Sequence, residues 1–235
     1  MKQLALDIVA ALSPTLDNFV PGRNAELLHN LERMVAGEAD ERFIYIWGAA
    51  GSGRSHLLMG AVAAARDAGA SAACIACAAE TQFGEGIERM DCVAVDNADR
   101  LGEAAQVALF NLYNLLREGR GALIVSGDAP PMQLKLRQDL VTRLGWGLVY
   151  QVHALTDEEK TRALMVHAEG RGFRLSGEVC NYLLHHVRRD LPTLLAMLDA
   201  LDRHSLETKR QITVPLVREL LQAAPSPGSA NADKK

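Results

Sequence analysis

Apolar residues along this chain follow two regimes that change over near Leu155. In the first, short apolar runs of strand character alternate with stretches whose apolar positions recur every three or four residues. NAELLHNLERMVA (24–36) has helical spacing and stops at Gly37. RFIYIW (42–47) reads as a strand, SHLLMGAVAAARDA (55–68) as a helix ended by Gly69, and SAACIACAA (71–79) and CVAVDN (92–97) as strands. A helix over 104–119 and a strand over 121–128 follow, the latter closed by Pro130-Pro131; 134–147 is a helix or a turn, and 148–155 a last strand. Alternation of this kind predicts βαβ units, hence a parallel sheet with helices on both faces.

In the second regime every segment has helical spacing. Thr156 followed three residues later by Glu159 forms a capping box that opens a helix ended by Gly170 and Gly172. Helices follow over 176–187, 191–210 and 213–222, with Pro192 near a helix start, where its missing N–H is harmless. The expected organisation is an N-terminal peptide 1–13, an α/β domain 14–154, a small all-helical domain 155–222, and a small, polar, disordered tail 223–235.

At 235 residues, 49% hydrophobic and 23% charged, the chain has ordinary globular composition. It has no apolar run long enough to cross a membrane. The N-terminus MKQLALDIVAALSPTLD resembles a signal peptide only superficially, because Asp7 breaks the apolar stretch and no small-residue cleavage site follows. A net charge of −4 argues against bulk electrostatic binding to DNA. Cys74 and Cys77 form a CxxC, but they lie in a strand-like run, where positions i and i+3 face opposite ways, and no second CxxC or CxxH exists. Reduced thiols and a cytoplasmic setting are expected.

GAAGSGRS (48–55), between a predicted strand and a predicted helix, carries the chemistry. Gly48, Gly51 and Gly53 let the backbone wrap a phosphate with Ser52 between them, and the N-terminus of the next helix adds partial positive charge. Ser55 is the residue type that ligates Mg²⁺ in such loops, and His56 follows it. Arg54 stands where the pattern has lysine; it keeps the charge but offers a planar fork in place of a point charge. VAVD ends in Asp96, suited to holding the metal through water, whereas Asn97 occupies the place of a second acid and cannot act as a carboxylate base. Both replacements point to bound nucleotide with weak hydrolysis or none.

SPTLDNFVPGRNAELL resembles the segment that opens the AAA+ domain of the replication initiator DnaA, and GRSHLL, VDN, SGDAPP, RLGWG and RRDLPTLL follow in the same order at similar spacing. The resemblance runs from residue 3 to about 222. DnaA continues into a C-terminal helix-turn-helix domain, whereas this chain stops at the helical lid, so it is similar to the Hda group, the regulatory inactivators of DnaA. The resemblance implies a P-loop AAA+ fold with a helical lid. It implies adenine framed by Phe19 and Val20, ADP as the bound nucleotide with ATP the alternative, and Mg²⁺ at Ser55 and Asp96. It also implies Asp128 at the sensor-1 strand end and Arg189 at the lid's sensor-2 position. Capping of the turn before Pro130-Pro131 competes for Asp128, and Arg188 competes with Arg189.

Arg143 in RLGWG would be an arginine finger acting on a partner's ATP; on the residues alone, an arginine ending a helix is the commoner reading. Gln3, Leu4, Leu6 and Ile8 are similar to the motif by which Hda proteins bind the polymerase sliding clamp, an amide plus apolar anchors, although the Asp7-Ile8 ending departs from the usual one. Implied partners are thus DnaA and the sliding clamp, with DNA contacted only through the clamp, no membrane, a nucleoid or replisome setting, and a homodimer left open. The implied function is negative regulation of replication initiation. An autonomous AAA+ ATPase of helicase-loader type is the alternative. The histidines at 153, 167, 185 and 186 show no metal spacing, and Trp47 and Trp146 are expected to pack rather than to contact ligand.

Overall fold

The computed structural model describes residues 13–223; Gln3, Leu4, Leu6, Ile8 and the tail from 224 lie outside them. Two compact units result, one of which is Pro14–Leu155. It contains α1 (Ala25–Val35), β1 (Phe43–Trp47), α2 (Arg54–Asp67), β2 (Ala72–Ala76), β3 (Cys92–Asp96), α3 (Glu103–Glu118), β4 (Ala122–Gly127), α4 (Gln138–Leu144) and β5 (Leu148–Gln151). The strands form one five-stranded sheet in the order β2-β3-β4-β1-β5, with every pairing parallel.

Strand parity sorts the core. Ile44 and Ile46 of β1, Cys92 and Ala94 of β3, and Ala122 and Ile124 of β4 pack with Leu27 and Leu31 of α1 and with Leu57, Leu58 and Ala61 of α2. The intervening residues Phe43 and Tyr45, Val93 and Val95, and Leu123 and Val125 pack with Leu109, Leu112 and Leu116 of α3 and Leu140 and Leu144 of α4. Burial on both faces accounts for near-continuous apolar strands without polar alternation.

One connection and one strand end differ from the pattern read from the sequence. Residues 77–91 join β2 to β3 with only a 3-10 turn at Ile87–Arg89, whose Ile87 plugs the α3 side of the core. Gly84 and Gly86, the latter at φ +83°, disfavour a helix there. The last strand stops at Gln151 rather than 155, because the side chain of Asn24 takes over the ladder: its Nδ2 donates to the His153 carbonyl (2.9 Å) and its Oδ1 accepts the His153 N–H (2.7 Å). The stretch 134–147 resolves into α4, preceded by a 3-10 turn at Pro131–Gln133.

The second unit, from Thr156 onward, holds α5 (Asp157–Gly170), α6 (Gly177–His186), α7 (Leu191–Thr208) and α8 (Val214–Ala223) around a separate core that includes Leu164, Leu183, Leu194, Leu198 and Val217. The capping box at Thr156 is complete, with both reciprocal bonds to Glu159. Asp190 caps α7, accepting from the Thr193 N–H at 3.0 Å. One polar cluster is buried here: Asp199 Oδ1 accepts from His167 Nε2 (2.8 Å) and Arg171 Nη1 (2.7 Å), joining α5 to α7. Among the described residues, no helix is long and apolar enough to cross a membrane.

Candidate functional site: a nucleotide cradle and a stacked arginine

β1, β3 and β4 end at one edge of the sheet, where ligands of open parallel sheets are held. β1 leads into the loop 48–53, and α2 begins directly after it. Gly51 (φ +78°) and Gly53 (φ +104°) adopt left-handed backbone that side chains resist. Gly53 is crowded as well, since a Cβ there would lie 2.8 Å from Cε2 of Phe19. At Gly48 a Cβ would stand 2.5 Å from the Val152 carbonyl oxygen. Val152 must run that close because its N–H donates to the Trp47 carbonyl (2.6 Å).

The hydroxyl of Ser52, within the loop, is buried without a hydrogen-bond partner. An unpaired buried hydroxyl costs about 1–3 kcal/mol, a cost that phosphate oxygens placed in the loop would remove. Ser55 Oγ donates to Asp96 Oδ2 at 2.6 Å. Ser126 Oγ donates to Asp96 Oδ1 at 2.5 Å and accepts the Asn97 N–H at 2.9 Å. Asp96 is only 7% exposed, so these hydroxyls supply the partners that its burial requires. Among the described residues, no group of three or more His, Cys, Asp or Glu side chains could hold a metal alone. The Ser55–Asp96 pair fits a divalent ion whose remaining ligands come from nucleotide phosphates and water. The cradle therefore suits a phosphate chain carrying such an ion.

Arg54 Nη1 donates to the carbonyl of Gly127, which places the guanidinium at the end of β4. Asn97 sits at φ 58°, ψ 52°, a left-handed position that Asn tolerates better than most residues. Asp128 is exposed, and it is its backbone N–H that bonds there, donating to Asp99 Oδ1 at 3.2 Å. The Tyr45 hydroxyl donates to the Ala129 carbonyl (2.7 Å). Its pKa is pushed up, first by burial and then by Asp99 and Asp128, against the opposing charge of Arg54.

The segment before α1 closes the site. Thr15 and Asn18 bond reciprocally, each backbone N–H to the other's side chain (3.0 and 3.2 Å). The Thr15 carbonyl accepts from His56 Nε2 at 3.0 Å, so that nitrogen carries the proton. Phe19 and His56 lie with ring centroids 5.5 Å apart, and half-buried Val20 follows Phe19. Burial lowers the His56 pKa, partly offset by the Thr15 bond. Mid-helix Gly60 makes the crossing possible, since a Cβ would come within 2.8 Å of the Thr15 carbonyl carbon.

Arg143 lies in the last turn of α4. Its guanidinium is 3.9 Å from the ring centroid of Trp146 and 5.6 Å from that of Phe110. Trp146 is 52% exposed. Among the described residues, Arg143 has no carboxylate within ion-pair distance. In the lid unit, Arg189 donates through Nε to the Leu184 carbonyl (3.2 Å) and reaches Asp157 at 3.9 Å, whereas its neighbour Arg188 pairs with Asp190 at 3.3 Å. The cysteines are free thiols; burial pushes Cys77 up to about 12 and Cys92 up to about 11.

Phe19, Gly48, Gly51, Ser52, Gly53, Arg54, Ser55, His56 and Asp96 are thus brought into one neighbourhood of the α/β unit. Ser126, Thr15 and Trp146 are additional. Ser126 shares the strand parity of Ala122 and Ile124, the face that α2 covers, and a polar residue on a fully apolar face is the signal for it.

A phosphate cradle after β1, a carboxylate ending β3, the β2-β3-β4-β1-β5 order and an appended helical unit define a P-loop protein of the AAA+ class. The family model described as the bacterial DnaA ATPase domain matches residues 70–151, and that described as the Hda lid domain matches residues 157–221. The two matches, on successive stretches of the chain, support an Hda/DnaA-like AAA+ family for it. Its fold is similar to domain III of the Thermotoga maritima replication initiation protein DnaA (TM-score 0.71, 20% identity, 92% of this chain and 98% of that one). It is also similar to AMPPCP-bound DnaA from Aquifex aeolicus (TM-score 0.68, 19% identity, 83% and 67%). A mutant RuvB from Thermotoga maritima shares the fold (TM-score 0.64, 14% identity, 89% and 71%).

Proposed function

We propose that this chain is a negative regulator of replication initiation, which binds ADP and stimulates hydrolysis of the ATP carried by DnaA. The observation that carries the reading is Arg143, a cation without an acidic partner among the described residues, stacked on the exposed ring of Trp146. An arginine offered at a surface can neutralise charge developing on the γ-phosphoryl group of a neighbour's nucleotide, worth roughly 10³–10⁵ in rate in comparable systems. Water attacks phosphorus and the bond to the β-phosphate oxygen breaks, both in the partner's site.

The chain's own cradle serves another purpose. Gly51, Ser52 and Gly53 would hold the phosphates, Ser55 and Asp96 the Mg²⁺, and Phe19 and Val20 the base. Bound ADP supplies charge and shape that order the loop. By the resemblance to the DnaA AAA+ domain, Asp128 and Arg189 would be the sensor residues of their respective units. Asn97 offers no carboxylate to activate water, so turnover by the chain itself is weak or absent. The peptide with Gln3, Leu4, Leu6 and Ile8 would tether the protein to the sliding clamp, raising its local concentration near DNA-bound DnaA.

The test is hydrolysis of DnaA-bound ATP in the presence of DNA-loaded clamp and ADP. The native chain should accelerate it, whereas Arg143→Ala and a double change of Gln3 and Leu4 to alanine should not. Brisk ATP turnover by the isolated chain, with no effect on DnaA, would replace this reading with an autonomous ATPase.

A further inference from the structure

Trp146 is one of the largest exposed apolar side chains described, and it stands among cations. The Arg143 guanidinium lies 3.9 Å from its ring centroid, and Arg117, on the neighbouring α3, lies 5.3 Å from it. Arg117 is fixed in turn, its Nη1 donating to the Tyr113 hydroxyl at 3.2 Å. A cation within about 6 Å of a tryptophan face is attracted by the ring quadrupole. A free arginine side chain has several rotatable bonds and loses conformational entropy when it must hold one geometry. Here the indole holds the guanidinium in a cation–π contact at 3.9 Å, while among the described residues the Arg143 side chain has no hydrogen-bond or ion-pair partner. Gly145 and Gly147 flank Trp146; at Gly147 a Cβ would clash with the Phe43 carbonyl oxygen, so the short turn after α4 is pressed against the start of β1. The stacking platform is therefore built on a restrained turn.

We infer that Trp146 is a positioning residue for Arg143: its indole holds the guanidinium pre-oriented, so that the arginine enters a partner's phosphate site without first being ordered. This rests on the proposed role of Arg143 and deepens it. Trp146 need not touch the partner's nucleotide; it acts through Arg143.

Two measurements test it on the whole 235-residue chain. In the first, DnaA-bound ATP hydrolysis is titrated with the native chain, Trp146→Phe, Trp146→Leu and Trp146→Ala, each confirmed as folded by circular dichroism. Misplacement of a catalytic group by about 1 Å costs on the order of 10²-fold. Trp146→Ala and Trp146→Leu should therefore lower the saturating rate roughly 10–100-fold with the half-saturating concentration little changed, and Trp146→Phe should restore part of the rate. A rise in half-saturating concentration alone would make Trp146 a docking residue and overturn the inference.

The second needs no partner. In a Trp47→Phe background Trp146 is the sole tryptophan, and Arg143→Ala should increase its quenching by acrylamide and shift its emission. Unchanged fluorescence overturns the stack whatever the hydrolysis assay shows. Absence of stimulation by the native chain, with the fluorescence change present, sinks the regulator reading but leaves the platform standing.

Discussion

His56 couples two parts of the site through one neutral ring, donating to the Thr15 carbonyl and lying against Phe19. Burial lowers its pKa below the ordinary 6.5, so the folded protein takes up the proton less readily than the unfolded chain. Stability from this residue is complete above pH 6.5 and is lost as pH falls from there through the lowered folded value. Denaturant titrations at about pH 7.5 and about pH 5.5 should show a steeper loss for the native chain than for His56→Gln, which keeps a donor but does not titrate. Equal losses would remove His56 from the account. Asn97 is a second case in which one side chain has two explanations. It places no carboxylate after β3, and it also suits a backbone position at φ 58°. A glutamate there would lack the tolerance of Asn for left-handed backbone, so restoring the acid carries a conformational cost of roughly 1–2 kcal/mol.

Among the elements, α5 and α7 are joined by the buried carboxylate of Asp199, shared between His167 and Arg171, while Arg171 also reaches Asp202 at 3.2 Å. Removing one partner of a buried pair costs about 3–5 kcal/mol; the partial exposure of Arg171 lowers this to about 2 kcal/mol for Asp199→Ala. Asp199→Asn, which keeps an acceptor, should lose less; urea denaturation followed by helical circular dichroism measures both. A neutral Asp199→Ala would show that solvent already satisfies His167 and Arg171. Nothing in the periodicity of α7 marks Asp199 as buried, because an aspartate at that spacing reads as a surface residue. The capping box at Thr156, by contrast, was legible because its bonds are local. The same distinction separates the rest: the loop glycines, Ser55 and Asp96 follow from short motifs set between a strand and a helix. The clamp of Asn24 on His153, the bond of Arg54 to Gly127 and the ring of Trp146 beside Arg143 depend on pairings that adjacent sequence does not encode.

For the whole molecule, ligand binding and folding share one free-energy scale. If ADP occupies the cradle, it should stabilise the native chain by about 2.7 kcal/mol at a hundredfold excess over its Kd, visible as a rise in Tm. Gly53→Asp places a side chain against Phe19 in left-handed backbone and a negative charge beside the phosphates. It should abolish that rise and weaken ADP binding at least on the order of 100-fold, a loss of about 2.7 kcal/mol. Retained affinity would show that the loop is not the phosphate site. The passage of Thr15 over Gly60 has a consequence of its own. The strip from Thr15 to Phe19 is laced to α2 at Gly60 and His56 and laid over Gly53, so it forms a wall of the cradle as well as the start of the domain. If nucleotide occupies the cradle against this strip, thermodynamic reciprocity applies: whatever steadies the strip tightens nucleotide, and nucleotide steadies the strip by the same factor. A pull on the chain upstream of Pro14 is, in that sense, an effector of the pocket.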